Sequence, residues 1–439
     1  MVNRARMFVI AGNGIAGVTA AEIVRAEDAA AQIFIIADDP YPTYYRPALK
    51  DFLAGRVREN VLRARPGDFY AEQRITCVQD RVTGIATEQQ YVQLQSGRQL
   101  AYDRLLLANG ARPNTLTCPG SNLAGVTTLR SVADYKHVLS QLGTARHIAV
   151  VGSGTLALET VESLRQRGYG VSHLLRHNTL WSEVLDATAS DLVLQQEMRD
   201  GADVYLEEEV VEITGEQGQV SGVVTTKGKR IPCDMVIIAI GIVPTIDFIQ
   251  RSGIACGRGV RVDAMMHTNA PHVYAAGDVV ETSDGMTGRT RVVGQWYPAI
   301  QQARAAAYSM LDVLDTSHPF QTTTFYNATF LYGLDFASVG ITNMNILDGR
   351  IQTIVADPQP RTYRKVTLAN GVPIGMLSLG DRTATLAFKR AIDYRVNLSS
   401  VASILFADDF KLSNWLDSQN VLPPILGVNR MGEYAESAI

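Results

Sequence analysis

The sequence predicts an α/β chain: two Rossmann-type βαβ units and then a smaller C-terminal α/β domain. Three observations carry this reading. A glycine fingerprint, Gly12-x-Gly14-x-x-Gly17, sits in MFVIAGNGIAGVTAAEIV near the start of the chain. A second, Gly152-x-Gly154-x-x-Ala157, sits in HIAVVGSGTLALETVESL near the middle. The segments that follow the two fingerprints also repeat one another. In each fingerprint an apolar, β-prone run leads into the glycines and a helical pattern leaves them, the context that separates a dinucleotide site from a chance glycine triplet. The first glycine makes the strand-to-helix turn, the second lets backbone approach a pyrophosphate, and the third position lets helix pack on strand. The anion then rests on the helix N-terminal amides. Two such sites in one chain argue for two dinucleotides and for electron traffic between them.

The elements follow in order. Gln32–Ala37 (QIFIIA) reads as the second strand, with Asp38 and Asp39 directly after it. Asp38 lies 21 residues past Gly17, the distance at which a carboxylate meets ribose hydroxyls. Only one of the two acids need reach the ribose, and Asp38 is favoured over Asp39, the other being a solvated turn carboxylate. Alternation in Tyr91–Leu94 and the Ser96-Gly97 turn predict a β-meander, and Tyr102–Pro113 an apolar strand ending in a tight glycine turn. The second βαβ unit begins near His147 and runs through the strand Val171–Leu175; Asp234–Pro244 then nearly copies the earlier strand and turn. A helix is expected around Pro298–Asp315, strands at Arg364–Leu368 and Ile374–Leu379, and a helical tail.

Composition bounds the partners. The chain has 439 residues and a net charge of −4, which gives no reason to expect nucleic acid or an anionic membrane surface. No apolar run reaches the roughly 18 residues of a membrane span, and the first strand follows the N-terminus too closely for a signal peptide. Cys77, Cys118, Cys233 and Cys256 are widely spaced and form no C-x-x-C. They predict no disulfide framework, zinc site or iron–sulfur cluster, but buried free thiols in a reducing cytoplasm, with Cys77 in the core. The pair His173 and His177 reads as strand-end packing plus phosphate proximity rather than a metal site.

These residues resemble a family: the flavin-dependent pyridine nucleotide reductases of the glutathione-reductase structural class. The resemblance is nearest to the rubredoxin and ferredoxin reductases and the flavin portion of NAD(P)H-nitrite reductases. It is carried by the two fingerprints, Tyr45-Arg46-Pro47, Ala108-x-Gly110-Ala111-x-Pro113 and Ala239-x-Gly241-x-x-Pro244. Thr268-Asn269, Tyr274-Ala275-Ala276-Gly277-Asp278 and Trp296-x-x-Ala299-x-x-Gln302-Ala303 continue it, and Tyr363-Arg364-Lys365 and Gly375–Asp381 extend it to the C-terminal part. It implies an FAD domain split over residues 1–115 and 246–320, an NAD(P) domain over 116–245 and a C-terminal interface domain over 321–439.

The resemblance also implies roles. Asp278 would accept from a ribityl hydroxyl, and Asp38 would meet the adenosine ribose. Ala16, Val82, Asn109, Gly110, Gly241 and Gly277 would line the cofactors, with Thr155 beside the second dinucleotide. Arg46 and Lys50 fall where basic residues lie beside the flavin, although Lys50 takes a slot usually small and hydroxylic, and Asp51 the common basic one. Lys50 thus stays open between flavin contact and surface lysine. Glu159 would orient the nicotinamide for hydride transfer, and Trp296 would lie near the isoalloxazine. At the end of the second unit's strand, Leu175 stands where NAD-preferring enzymes carry a carboxylate, and Arg176-His177 follows. An arginine pairs with a 2′-phosphate that a carboxylate would repel, so NADPH is favoured and NADH remains open. A second arginine of the NADPH-binding pattern would fall at Ser182 and is missing.

One absence decides the branch. The segment Tyr44–Leu53 holds no cysteine, where disulfide reductases and peroxidases of this fold carry theirs. The expectation is an NAD(P)H-dependent FAD reductase, cytoplasmic, feeding a small carrier such as a rubredoxin or ferredoxin, with a homodimer left open. Alternatives are a flavoenzyme acting on a small molecule or oxygen, and a redox-sensing flavoprotein resembling apoptosis-inducing factor.

Overall fold

The computed structural model describes residues 4–283, 290–313, 324, 326–343, 351–356 and 361–422. The first unit opens with β1 (Met7–Ala11), α1 (Ile15–Glu27) and β2 (Gln32–Ala37). Short helices α2 (Leu49–Ala54) and α3 (Phe69–Glu72) lead to β3 (Ile75–Gln79). A meander of β4 (Val82–Ala86), β5 (Tyr91–Leu94) and β6 (Gln99–Ala101) precedes β7 (Arg104–Leu107) and β8 (Ala111–Pro113). The run expected as one strand, Tyr102–Pro113, is therefore split. The chain turns at Ala108–Gly110, where Gly110 has φ +70°, because β7 stays in the first sheet while β8 leaves it.

The second unit comprises β9 (Val126–Thr128), α4 (Val132–Gln141), β10 (His147–Val151), α5 (Thr155–Gln166), β11 (Gly170–Leu175), α6 (Ala187–Arg199) and β12 (Asp203–Leu206). A second meander, β13 (Val210–Glu216), β14 (Gln219–Thr225) and β15 (Arg230–Pro232), leads to β16 (Met235–Ile238) and β17 (Ile242–Pro244). Its main sheet has the order β12-β11-β10-β16-β9, all parallel. β10, at the centre, is apolar along its whole length after His147 because both faces are covered. β8 and β17 pair antiparallel, Pro113 opposite Ile242, as a two-stranded ribbon between the units.

The chain then returns through α7 (Asp247–Gln250), β18 (Val260–Arg261), β19 (Val273–Ala275), β20 (Val280–Ser283), β21 (Thr290–Val292) and α8 (Trp296–Met310). β19 pairs with β7 and completes a first sheet of order β19-β7-β1-β2-β3. α8 begins two residues before the expected Pro298, which sits in the first turn where its missing N–H costs no intrahelical bond. Asp315 lies outside the described residues. The apolar side of α8 (Ala303, Ala306, Ala307, Met310) packs with Ile15 and Val18 of α1.

Last comes an antiparallel sheet of β22 (Tyr326–Leu331), β23 (Leu334–Gly340), β24 (Ile351–Val355), β25 (Tyr363–Ala369) and β26 (Val372–Leu379), in the order β22-β23-β26-β25-β24. Helices α9 (Thr385–Asp393) and α10 (Leu412–Ser418) cover it through Phe388, Ala391 and Leu416. Its other face shares a core with the second unit: Leu331, Phe336 and Leu377 pack with Leu158, Leu175 and Leu180. Asp186, the N-cap of α6, fastens this seam. It accepts from Ala189 N (3.0 Å), Tyr363 Oη (2.7 Å) and Lys365 Nζ (2.6 Å).

The cysteines depart from expectation. Only Cys233 is buried; Cys118 and Cys256 are half-buried and Cys77 is exposed. Cys77 lies in β3, an edge strand whose middle residues face solvent, so the apolar sequence around it does not put it in the core. Among the described residues no helix is long and apolar enough to cross a membrane, and no cluster of His, Cys, Asp and Glu could hold a metal ion.

Candidate functional site

Both fingerprints form the turns their glycines predict. Gly12 has φ +117°, and a Cβ there would lie 2.2 Å from the Ala108 carbonyl oxygen. Gly152 has φ +140°, and its Cβ would lie 2.2 Å from that of Ala239. Neither site admits a side chain. Gly14 and Gly154 face open space, with nothing within 4 Å of a built Cβ, and each is the N-cap of its helix without a side-chain cap. The first-turn amides of α1 and α5, from Ile15 and Thr155 on, keep their donors for an anion. At the third fingerprint position a Cβ on Gly17 would lie 2.1 Å from Gly12 O, while Ala157 is fully buried against the second core.

The strand ends carry the charges. Asp38, the first residue after β2, pairs with Arg81 (2.5 Å). Asp39 turns the other way, accepting from Tyr41 N (3.1 Å) and Tyr44 Oη (3.2 Å). Val82, next to Arg81, is buried at the head of β4. In the second unit Arg176, the first residue after β11, pairs with Glu209 (3.3 Å), and His177 is exposed. His173 is fully buried, its Nδ1 2.6 Å from Glu197 Oε1 and its Nε2 2.6 Å from Gly152 O. It packs, as the spacing implied.

The most informative geometry lies where three parts of the chain meet. Lys50 of α2 places Nζ 2.9 Å from Glu159 Oε1 of α5 and also donates to Thr329 Oγ1 of β22. Thr329 in turn donates to the same glutamate oxygen at 3.2 Å. Lys50 is thus no free surface lysine, since its side chain is only 21% exposed and that of Glu159 20%. Nearby, Arg46 Nη1 donates to Arg130 O (2.5 Å), and Arg130 Nη2 pairs with Asp278 Oδ2 (2.5 Å). Burial, then the neighbouring Arg130, lowers the Arg46 guanidinium from its ordinary value. Trp296, at the start of α8, meets Tyr45 edge to face with centroids 5.0 Å apart.

Backbone turns complete the site. Asn109 Nδ2 donates to Thr245 O (2.7 Å), while its Oδ1 is buried without a partner. Gly277 (φ +84°) donates its amide to Gln302 Oε1 at 2.8 Å, aiming Asp278 from the end of the β19 turn. Gly241 (φ +94°) precedes β17 and accepts from Asn114 N (3.0 Å), while at the other end of the ribbon Gly110 accepts from Thr245 N (3.1 Å). Sequence reasoning missed Arg130 and Thr329. Both stand between recognisable motifs, and only the fold carries them to Asp278 and to the Lys50–Glu159 pair.

The residues fit a flavin dinucleotide on the first unit. Open space at Gly14, uncapped amides of α1, the unpartnered Asn109 oxygen and the Asp278 carboxylate form a polar cradle beside an aromatic wall. The second unit offers the same cradle at Gly154 and α5, with a cation in place of the acid at the strand end.

Fold and site together define a two-dinucleotide oxidoreductase. Residues 6–303 match the family described as pyridine nucleotide-disulphide oxidoreductase, and the chain belongs to it. Members of this family use FAD and NAD(P)H. The chain is 33% identical over 306 residues to the ferredoxin–NAD(+) reductase component of a biphenyl dioxygenase system from Paraburkholderia xenovorans, covering 69% of this chain and 74% of that protein. It is 29% identical over 401 residues to a nitrite reductase [NAD(P)H] of Bacillus subtilis, covering 91% of this chain. The chain spans about half the length of that relative, 48%. Among solved structures, that of a covalent putidaredoxin reductase–putidaredoxin complex shares the fold, with TM-score 0.87 at 24% identity over 96% of this chain and 100% of that one.

Proposed function

We propose that this chain is an FAD-dependent NAD(P)H reductase that hands electrons to a separate small carrier protein. The observation that carries the reading is the Lys50–Glu159–Thr329 junction. A glutamate on the second dinucleotide's helix is charge-paired to a lysine of the first unit, so the two bound rings would meet at one half-buried polar point. FAD there would supply the conversion of a two-electron hydride into single electrons. The protein's part is placement. Glu159 would orient the nicotinamide, and the Lys50 ammonium would hold that carboxylate in position. Arg46 and Arg130 would set a positive field at the flavin site, and Trp296 with Tyr45 would wall off water. Asp278 and Asp38 would anchor ribityl and ribose hydroxyls.

The carrier is favoured over a thiol route because Tyr44–Leu53 contains no cysteine. It also agrees with the names of the relatives: a ferredoxin reductase component, a rubredoxin-NAD(+) reductase, and a reductase bound to putidaredoxin. The first two are named for NAD(+). Here Leu175 and Arg176 favour NADPH. Steady-state kcat/KM for NADPH and NADH, measured with rubredoxins, ferredoxins, oxygen and quinone dyes as acceptors, tests the reading. Turnover confined to oxygen or a small molecule would replace the carrier, and absence of turnover with retained FAD would point to a sensor.

A further inference from the structure

The two dinucleotide units carry the same ion pair with its charges exchanged. The register is set by backbone bonds. Gly12 N donates to Ile36 O (2.8 Å) as Gly152 N donates to Leu174 O (3.1 Å). Asp80 N donates to Ala37 O, and Glu208 N to Leu175 O, both at 3.0 Å. Asp38 and Arg176 therefore occupy one position, the first after the second strand. Arg81 and Glu209 occupy another, the residue before the meander valine, Val82 or Val210. In the first unit an acid at the ribose position is backed by a cation, at 2.5 Å. In the second a cation at that position is backed by an acid, at 3.3 Å.

The second pair is open to a ligand. The Arg176 and Glu209 side chains are 65% and 52% exposed, and the contact is through Arg176 Nε. A 2′-phosphate drawn to Arg176 would meet the Glu209 carboxylate on the same guanidinium. Like charges that close oppose one another even in a solvent-rich setting. Glu209, in the turn between β12 and β13, thus places a carboxylate beside the first residue after β11. We propose that Glu209 is a specificity-determining residue, which competes with the coenzyme 2′-phosphate for Arg176 and restrains the discrimination that Arg176 confers. This rests on the reading of Arg176 as the 2′-phosphate partner.

The test is isothermal titration of the FAD-loaded protein with two probes, 2′,5′-ADP and 5′-AMP, which differ only in the 2′-phosphate. Glu209→Gln should tighten 2′,5′-ADP about fivefold, the scale of one exposed charge interaction, and leave 5′-AMP within about twofold. In Arg176→Ala the gain from Glu209→Gln should vanish. If Glu209→Gln leaves 2′,5′-ADP unmoved, weakens it, or tightens both probes alike while Arg176→Ala still weakens 2′,5′-ADP, the proposal falls and the role of Arg176 stands. If Arg176→Ala does not weaken 2′,5′-ADP in either background, the underlying reading falls and the proposal with it.

Discussion

Lys50 Nζ lies 2.9 Å from Glu159 Oε1, and the two residues belong to different nucleotide-binding units 109 positions apart. Thr329 of the C-terminal sheet bonds to both. The lysine of the first unit thus finds its counter-charge on the helix of the second fingerprint. The hydroxyl arrives from a third part of the chain.

Breaking this pair should slow hydride delivery while leaving the flavin bound. Lys50→Met removes the ammonium and keeps the stem length. A half-buried charged hydrogen bond, discounted for its partial exposure, is worth about 1–2 kcal/mol, so flavin bleaching by NADPH in stopped flow should slow about tenfold. Glu159→Gln should do the same, and the double variant should lose less than the two combined. Additive losses, or normal bleaching in both single variants, would argue against a shared role.

Asp278 is 14% exposed and paired with Arg130. Asp278→Ala should yield largely apoprotein on purification, judged by the ratio of 450 to 280 nm absorbance. Asp278→Asn keeps an acceptor oxygen and should retain more FAD. An alanine variant with full flavin content refutes the assignment.

The Asp186 clamp predicts a pH-dependent stability. Burial alone would raise its carboxyl, but Lys365, the Ala189 amide and Tyr363 together hold it below the ordinary value. A depressed folded-state pKa contributes stability that is present above the unfolded pKa, about 3.9, and is lost as pH falls through the folded value. Asp186→Asn retains an N-cap acceptor and removes the charge. Its Tm should fall below wild type at pH 7, by an amount equivalent to about 1–2 kcal/mol. The gap should close on acidification below about pH 4. A gap of constant size from pH 7 to pH 3 would exclude the charge as its source.

The cysteines predict indifference to thiol chemistry. Cys77 is the exposed thiol and should alkylate first, although slowly, because burial of part of its surface raises its pKa. Ferricyanide or quinone-dye reduction should survive that alkylation, and reduction by NADPH should stop at two electrons per FAD. A four-electron titration, or a thiolate charge-transfer band, would reinstate the disulfide route.

The fingerprints were legible because their physics is local: a strand, a turn that needs Gly12 or Gly152, and a helix, all within some twenty residues. Asp278 and Trp296 are expected at the site only through a resemblance over nearly the whole chain. Lys50 stayed ambiguous because its partners come from far along the sequence, and Arg130 carried no motif at all. Cys77 was misplaced for a related reason. Its neighbours read as apolar, but whether a strand has a neighbour on both sides is a property of the sheet.

The ribbon of Ala111–Pro113 and Ile242–Pro244 has a consequence for assembly. Paired strands stand about 5 Å apart, so the chain departs for the second unit and comes home through a single doorway. Three residues on each side hold that doorway shut, too little to offset the entropy of a floppy excursion of such length. The excursion must gather itself first, or as the doorway closes. Once folded it is locked to both of its neighbours by Lys50–Glu159, Arg130–Asp278 and Asp186–Lys365, so a short turn in its place would strand a charged group on either side.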